Sequence, residues 1–305
     1  MPEAPRSRTL LWILIGGGAF FLFVLAVFSL VYLTLHAGGT EAGGFSSFGD
    51  RIGVVDLDGV ILSPQPVVGQ LKKFGDDSSI KAIIIHVNSP GGGVAASEEI
   101  YREVKRIRDE KKKRIVVSIE TVGASGAFYV ASASNKIYAD KGSIVGSIGV
   151  IAQWVNYGDL LKWAKMKNIT ISRGDLKDAG DPTRDLTPQE QAYFQSLVDN
   201  MYGQFIHDVA TGRHTPEDKI KPLATGQVWT GEQALPLGLI DQQGGFRIAL
   251  MDTAKSVGIS GEPHIVRPSK EKHRLAALLS DGTDELFPNP SKLLDRAPGF
   301  YFLWK

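Results

Sequence analysis

Two turns built from small residues, each set between an apolar run and a helical pattern, constrain this chain more than any other feature. The first, Ser89-Pro90-Gly91-Gly92-Gly93, follows Ala82-Ile83-Ile84-Ile85-His86-Val87. The second, Gly123-Ala124-Ser125-Gly126-Ala127, follows Ile115-Val116-Val117-Ser118-Ile119. Short Ile/Val runs bounded by Gly and Pro read as buried strands, and strands alternating with helical patterns argue an α/β fold. Backbone N–H groups at a strand-to-helix turn have no partner within the helix. Beside a serine hydroxyl they supply what acyl transfer needs, a nucleophile and donors for the developing oxyanion.

The 305 residues, 43% hydrophobic and 22% charged, suffice for one large domain or two small ones. A net charge of +1 gives no reason to expect a nucleic-acid partner. There is no cysteine, which excludes a disulfide framework, a zinc–thiolate site and a cysteine nucleophile. No cofactor or metal is expected.

Leu10 to Leu35 carries no charged side chain. At about 1.5 Å per residue such a helix exceeds a hydrocarbon core of roughly 30 Å. It is longer than a signal-peptide apolar region, and Thr34-Leu35-His36-Ala37 makes a poor cleavage site. We therefore expect an uncleaved transmembrane anchor over residues 10–36. Arg6 and Arg8 precede it and the next basic residue is Arg51, so residues 1–9 are expected in the cytoplasm and the rest outside the cell membrane. Residues 37–50 read as a Gly/Ser-rich tether, 51–260 as the globular domain and 261–305 as a C-terminal extension.

Ile52 to Leu62 reads as a strand and turn, Val94 to Lys112 as an amphipathic helix, and a further helix is expected to begin near Ser125. Ile137-Tyr138-Ala139 and Ile144 to Val150 read as short buried strands. Thr187-Pro188-Gln189-Glu190 has the spacing of a capping box and predicts a helix to about His207.

Ser125 needs a base. The six histidines are His36, His86, His207, His214, His264 and His273. His86 falls in a buried-strand pattern, while His207 and His214 lie on or after a surface helix. A lysine is the other candidate. From a reference pKa near 10.4, a neutral amine at pH 7 costs roughly 4–5 kcal/mol, which burial supplies. Lys136, Lys141, Lys162, Lys165, Lys167 and Lys177 all remain candidates on the sequence.

The runs VNSPGGGV (87–94), GASGAFYVAS (123–132), GSIVGSIGV (142–150) and GQVWTGEQALPLGLIDQQGG (226–245) occur in that order behind one apolar span. This pattern resembles bacterial signal peptide peptidase A in its short single-domain form, over about residues 51–255. The resemblance implies a ClpP/crotonase-like fold of repeated β-β-α units and a serine peptidase with a Ser-Lys dyad. Ser125 matches the nucleophile, Lys177 the general base, and Ser147 a hydroxyl that holds the lysine. Gly91 or Gly92, with the N–H of Gly126, matches the oxyanion hole. The family often has Gly-Gly where this chain has Gly126-Ala127. Asp175, Asp178 and Asp181 flank Lys177; facing the amine they would hold it charged, so they are expected to point away. The resemblance also implies a homo-oligomeric ring with the dyad shared between protomers, and signal-peptide remnants or similar apolar peptides as substrates. A crotonase-type acyl-CoA enzyme and a non-catalytic membrane scaffold are the rival readings.

The chain closes on Phe300-Tyr301-Phe302-Leu303-Trp304. This apolar run is expected either to pack on its own domain or to enter a groove built for extended apolar peptides.

Overall fold

The computed structural model describes residues 50–268 and 299–304, together with Phe23 and residues 25–27 in helical conformation. The expected span and tether otherwise lie outside the described residues, and no helix among the described residues is long and apolar enough to cross a membrane. Residues 1–49 and 50–305 separate into two units. The second contains every strand among the described residues.

In this unit, strand β1 (Arg51–Asp58) leads to helix α1 (Gln65–Asp76), β2 (Ile80–Ser89), β3 (Gly91–Gly93) and α2 (Val94–Asp109). Strand β4 (Arg114–Ala124) leads to α3 (Gly126–Ser132), β5 (Lys136–Ala139), β6 (Ile144–Gly146), β7 (Ile151–Gln153) and α4 (Gly158–Trp163). The long α5 (Pro188–Gly212) is followed by α6 (Glu217–Ile220), β8 (Val228–Thr230), α7 (Gly231–Ala234) and β9 (Gln242–Gln243). Helix α8 (Phe246–Ser256), β10 (His264–Val266) and β11 (Gly299–Leu303) complete the unit.

The chain is a mixed α/β fold. Its main sheet runs β10-β1-β2-β4-β5-β9, with parallel pairing throughout. Beyond the end of β5, β6 continues beside β4 and takes β8 as an antiparallel neighbour. The Ile/Val-rich β2 and β4 are central because helices cover both faces, which only unbroken apolar runs tolerate. The two-residue period sorts their side chains. Ile83, Ile85, Val87, Ile115, Val117 and Ile119 enter the larger core cluster. Ile84 and Val116 point the other way, against Ala249, Leu250 and Ala254 of α8. Each such side chain contributes about 1.5–3 kcal/mol on burial.

The capping box forms as spaced. Thr187 Oγ1 accepts from the Glu190 N–H, and the Glu190 carboxylate accepts from the Thr187 N–H. The helix then runs five residues past the expected end near His207, because Phe205, Ile206 and Val209 carry its apolar face into the core. Helix α2 ends at Asp109, short of the expected Lys112, with the Lys111–Lys113 run beyond it.

A second, three-stranded antiparallel sheet, β3-β11-β7, lies beside the first turn. Its central strand is the C-terminal segment.

Candidate active site

Parallel pairing of β4 with β6 sets Ala124 opposite Gly146. The next residues, Ser125 and Ser147, therefore leave the sheet side by side. The Ser125 N–H donates to the Gly146 carbonyl at 2.7 Å, and the Ser147 N–H donates to Gln227 O at 2.8 Å. Both serines hold positive φ, 53° and 54°, a conformation that costs a non-glycine residue about 1–3 kcal/mol and collects at functional turns. Ser125 occupies the N-cap position of α3, yet its hydroxyl makes no capping hydrogen bond. The helix thus leaves the hydroxyl available instead of using it as a cap. Ser125 and Ser147 line one cavity of about 450 Å³ with Val150, Ile151, Tyr202 and Trp304. That volume falls within the usual range of ligand sites.

The first turn comes close to the second. A Cβ added to Gly91 (φ 98°) would stand 2.6 Å from the Gly126 nitrogen, and one added to Gly126 would stand 3.1 Å from the Gly92 nitrogen. Only glycine allows this approach. The Gly91 N–H is committed to Ser89 Oγ at 3.1 Å. This approach brings the Gly92 nitrogen close to Gly126, the first residue of α3 and the neighbour of Ser125. Two convergent amides next to a serine hydroxyl can stabilise a tetrahedral oxyanion.

Sequence-predicted residues Ser125, Ser147, Gly91, Gly92 and Gly126 thus come together; Lys177 does not join them within the chain. Lys177 is exposed and lines a different hollow, with Tyr157, Leu161, Met166, Asn168 and Pro182. Two of the three neighbouring carboxylates, Asp178 and Asp181, have other partners. Asp178 pairs with Arg184 at 3.3 Å. Asp181 accepts from the Thr183 hydroxyl and N–H, bonds that hold its carboxyl below the usual range. The loop is tied to α5 through Arg184, whose guanidinium grips Glu190 at 2.6 and 2.8 Å. Arg184, followed by the Thr187 amide, pulls the Glu190 carboxyl down to about 2.

The histidines are placed elsewhere. His86 faces Asp56 at 3.7 Å and the Phe246 ring at 5.1 Å. His207 pairs with Glu217 at 2.8 Å. No described histidine or lysine hydrogen-bonds Ser125.

Sequence reasoning missed the aromatic chamber under α3. Tyr129 packs against Tyr101 at 4.7 Å and Phe205 at 5.0 Å. Burial, then the adjacent Asp208 carboxylate, raises both phenols, Tyr101 to about 12. Tyr129 follows the serine by four residues, one helical turn, which was the available signal.

This fold and this serine site define a hydrolase that attacks acyl groups through a serine. The model of peptidase family S49 matches residues 107–260, and the chain belongs to that family; it is a serine peptidase. It is 33% identical over 237 residues to a candidate protease of Synechocystis, covering 77% of this chain and 85% of that one. It is 36% identical over 180 residues to a candidate signal peptide peptidase SppA of Enterococcus faecium, 59% of this chain and 52% of the relative. It is 31% identical over 231 residues to the chloroplastic serine protease SPPA of Arabidopsis thaliana, 75% of this chain but only 34% of that protein.

Proposed function

We propose that this chain is a membrane-anchored endopeptidase of ClpP/crotonase-like architecture that degrades apolar peptides, signal-peptide remnants among them. The similarity to a candidate signal peptide peptidase supports the substrate class, and the uncharged run from Leu10 to Leu35 supports the anchor. Ser125 is the nucleophile. Its hydroxyl bonds to the scissile carbonyl carbon, and the oxyanion is held by the Gly92 and Gly126 amides. The observation that carries this reading is Ser125 itself: a serine at positive φ in the N-cap position of α3 whose hydroxyl caps nothing, lining a cavity beside the turn where Gly92 approaches Gly126.

The proton goes to the amine of Lys177 from a neighbouring protomer of a homo-oligomeric ring. Lys177 lies exposed on an arm that its own chain turns away from Ser125, which suits a residue that serves another subunit. Docking removes its water, as a lysine base requires. Ser147, beside Ser125, accepts or donates a hydrogen bond to the incoming amine. The amine then returns the proton to the leaving nitrogen, and water hydrolyses the acyl-enzyme.

The test is peptide cleavage by the full chain in detergent. Ser125→Ala and Lys177→Ala should each be inactive, and mixing the two should restore part of the activity. No recovery at any mixing ratio overturns the shared dyad. Near-normal turnover by Ser125→Ala overturns the peptidase assignment of this serine.

A further inference from the structure

Gly92 is gripped through its neighbours. The Gly91 N–H donates to Ser89 Oγ at 3.1 Å, and the Gly91 carbonyl accepts from the Ile61 N–H at 2.9 Å. The Gly93 N–H donates to the Ile61 carbonyl at 2.8 Å, and the Gly93 carbonyl accepts from the Ser97 hydroxyl at 3.0 Å. Both residues flanking Gly92 thus have both their backbone polar groups tied. The two Ile61 bonds make a parallel bridge between Ile61 and Gly92. None of the four uses the Gly92 N–H, because an extended residue turns its own N–H to the edge opposite those of its neighbours. Ile61 is itself fixed, its side chain buried in the larger core.

Ser97 does more than close this clasp. It is fully buried in the first turn of α2, and a serine bonding the carbonyl four residues back is common in helices. That bond accounts for Gly93 alone. The same oxygen also lies against the second turn: a Cβ on Gly126 would stand 2.4 Å from Ser97 Oγ, closer than its 3.1 Å to the Gly92 nitrogen. One hydroxyl therefore touches both turns, by a hydrogen bond on one side and by packing on the other. In a close-packed interior the loss of one such atom is felt by the groups on either side of it.

We propose that Ser97 is a positioning residue for the oxyanion amides: its hydroxyl fixes the separation of Gly92 from Gly126, while Ser89 and Ile61 fix the plane of the Gly92 amide. This rests on the peptidase reading of Ser125. Ser97 makes and breaks no bond in the reaction. It holds the donors in place before charge develops, so that no rearrangement is needed as the carbonyl oxygen becomes an oxyanion. The neutral carbonyl of bound substrate asks less of those donors than the oxyanion does. The effect of Ser97 therefore belongs to the transition state, in kcat and not in KM.

The test uses the full chain in detergent. Ser97→Ala should lower kcat roughly 10–100-fold with KM within about twofold, the scale of a donor displaced by about 1 Å. A peptide boronate matched to the substrate forms a tetrahedral adduct on Ser125 that places an oxygen in the hole. Its Ki should rise by the factor by which kcat/KM falls. A lower melting temperature with kcat and boronate Ki unchanged would make Ser97 structural and overturn the proposal, as would a loss carried by KM alone. Should Ser97→Ala melt below the assay temperature, Ser97→Cys, which fills the site but donates weakly, takes its place with the same expected split. Gly126→Ala gives an independent check. Its closest clash is with Ser97 Oγ, so it should cost less rate in the Ser97→Ala background than in the wild type, and two losses that simply multiply would overturn the contact. Near-normal turnover by Ser125→Ala would overturn the peptidase reading, on which Ser97 has no bearing. An inactive Ser125→Ala together with wild-type kinetics and boronate affinity in Ser97→Ala would overturn this inference alone.

Discussion

The Phe302 ring lies 4.5 Å from that of Phe205, centroid to centroid, although the two residues reach the chamber from opposite directions in the chain. Phe205 comes from the C-terminal part of α5 and is fully buried. Removing it opens a cavity on a wall that the tail and α3 share. Phe205→Ala should cost about 3–5 kcal/mol, measured by denaturant unfolding. Phe205→Leu should cost less than Phe205→Ala, because it leaves a smaller cavity. A cost below about 1 kcal/mol would mean that Phe205 is not part of the packed wall.

Gly126 has no room for a side chain. A Cβ there would stand 2.4 Å from Ser97 Oγ and 3.1 Å from the Gly92 nitrogen. Gly126→Ala should therefore spread the two amides and lower kcat by about 10²–10³, the effect of losing one oxyanion donor. Ser125 should still react with a small phosphonylating probe, at a reduced rate. Wild-type kcat in a folded Gly126→Ala protein would remove this amide from the mechanism.

On the proposed reading Ser147 acts by holding the incoming lysine amine. Ser147→Ala should lower kcat by roughly 10²-fold, near the lower end for a disturbed proton-transfer partner, with KM little changed. Its pH–rate profile should move relative to the wild type. Ser147→Thr should recover part of the rate. A profile that keeps its shape while the melting temperature drops would make the residue structural.

The Arg184–Glu190 pair should tie the Lys177 arm to α5 only while Glu190 is ionised. Its carboxyl is depressed to about 2 in the folded chain, below the ordinary value of about 4.3. The pair's contribution is therefore complete above about pH 4.3 and lost as pH falls toward 2. Arg184→Met should lower the melting temperature most at neutral pH, and the difference from wild type should shrink by about pH 2. A difference that is constant over that range would show that the pair contributes nothing through charge.

Arg6 and Arg8 ahead of an uncharged run predict a domain on the outer face of the cell membrane. Protease added to intact spheroplasts should digest it. Protection until lysis would reverse the orientation.

Much of this protein is legible in its sequence because it depends on local rules. Unbroken Ile/Val runs mark β2 and β4 as strands buried on both faces, and the Thr187–Glu190 spacing marks the start of α5. Small residues at 89–93 and 123–127 mark two turns where backbones must approach closely. Those rules also single out Ser125, since strand, serine and helix stand in sequence. What they leave undecided is whatever depends on which strands become neighbours. The β4–β6 register brings Ser147 beside Ser125. The meeting of the two turns sets the Gly92 nitrogen close to Gly126. Lys177 comes to line a hollow apart from Ser125, and the C-terminal strand takes the place between β3 and β7. Hydrophobic periodicity reports which side of an element is buried, and only the packed structure reports against what, because partners distant in the chain are joined by surface area and hydrogen bonds that no local pattern encodes.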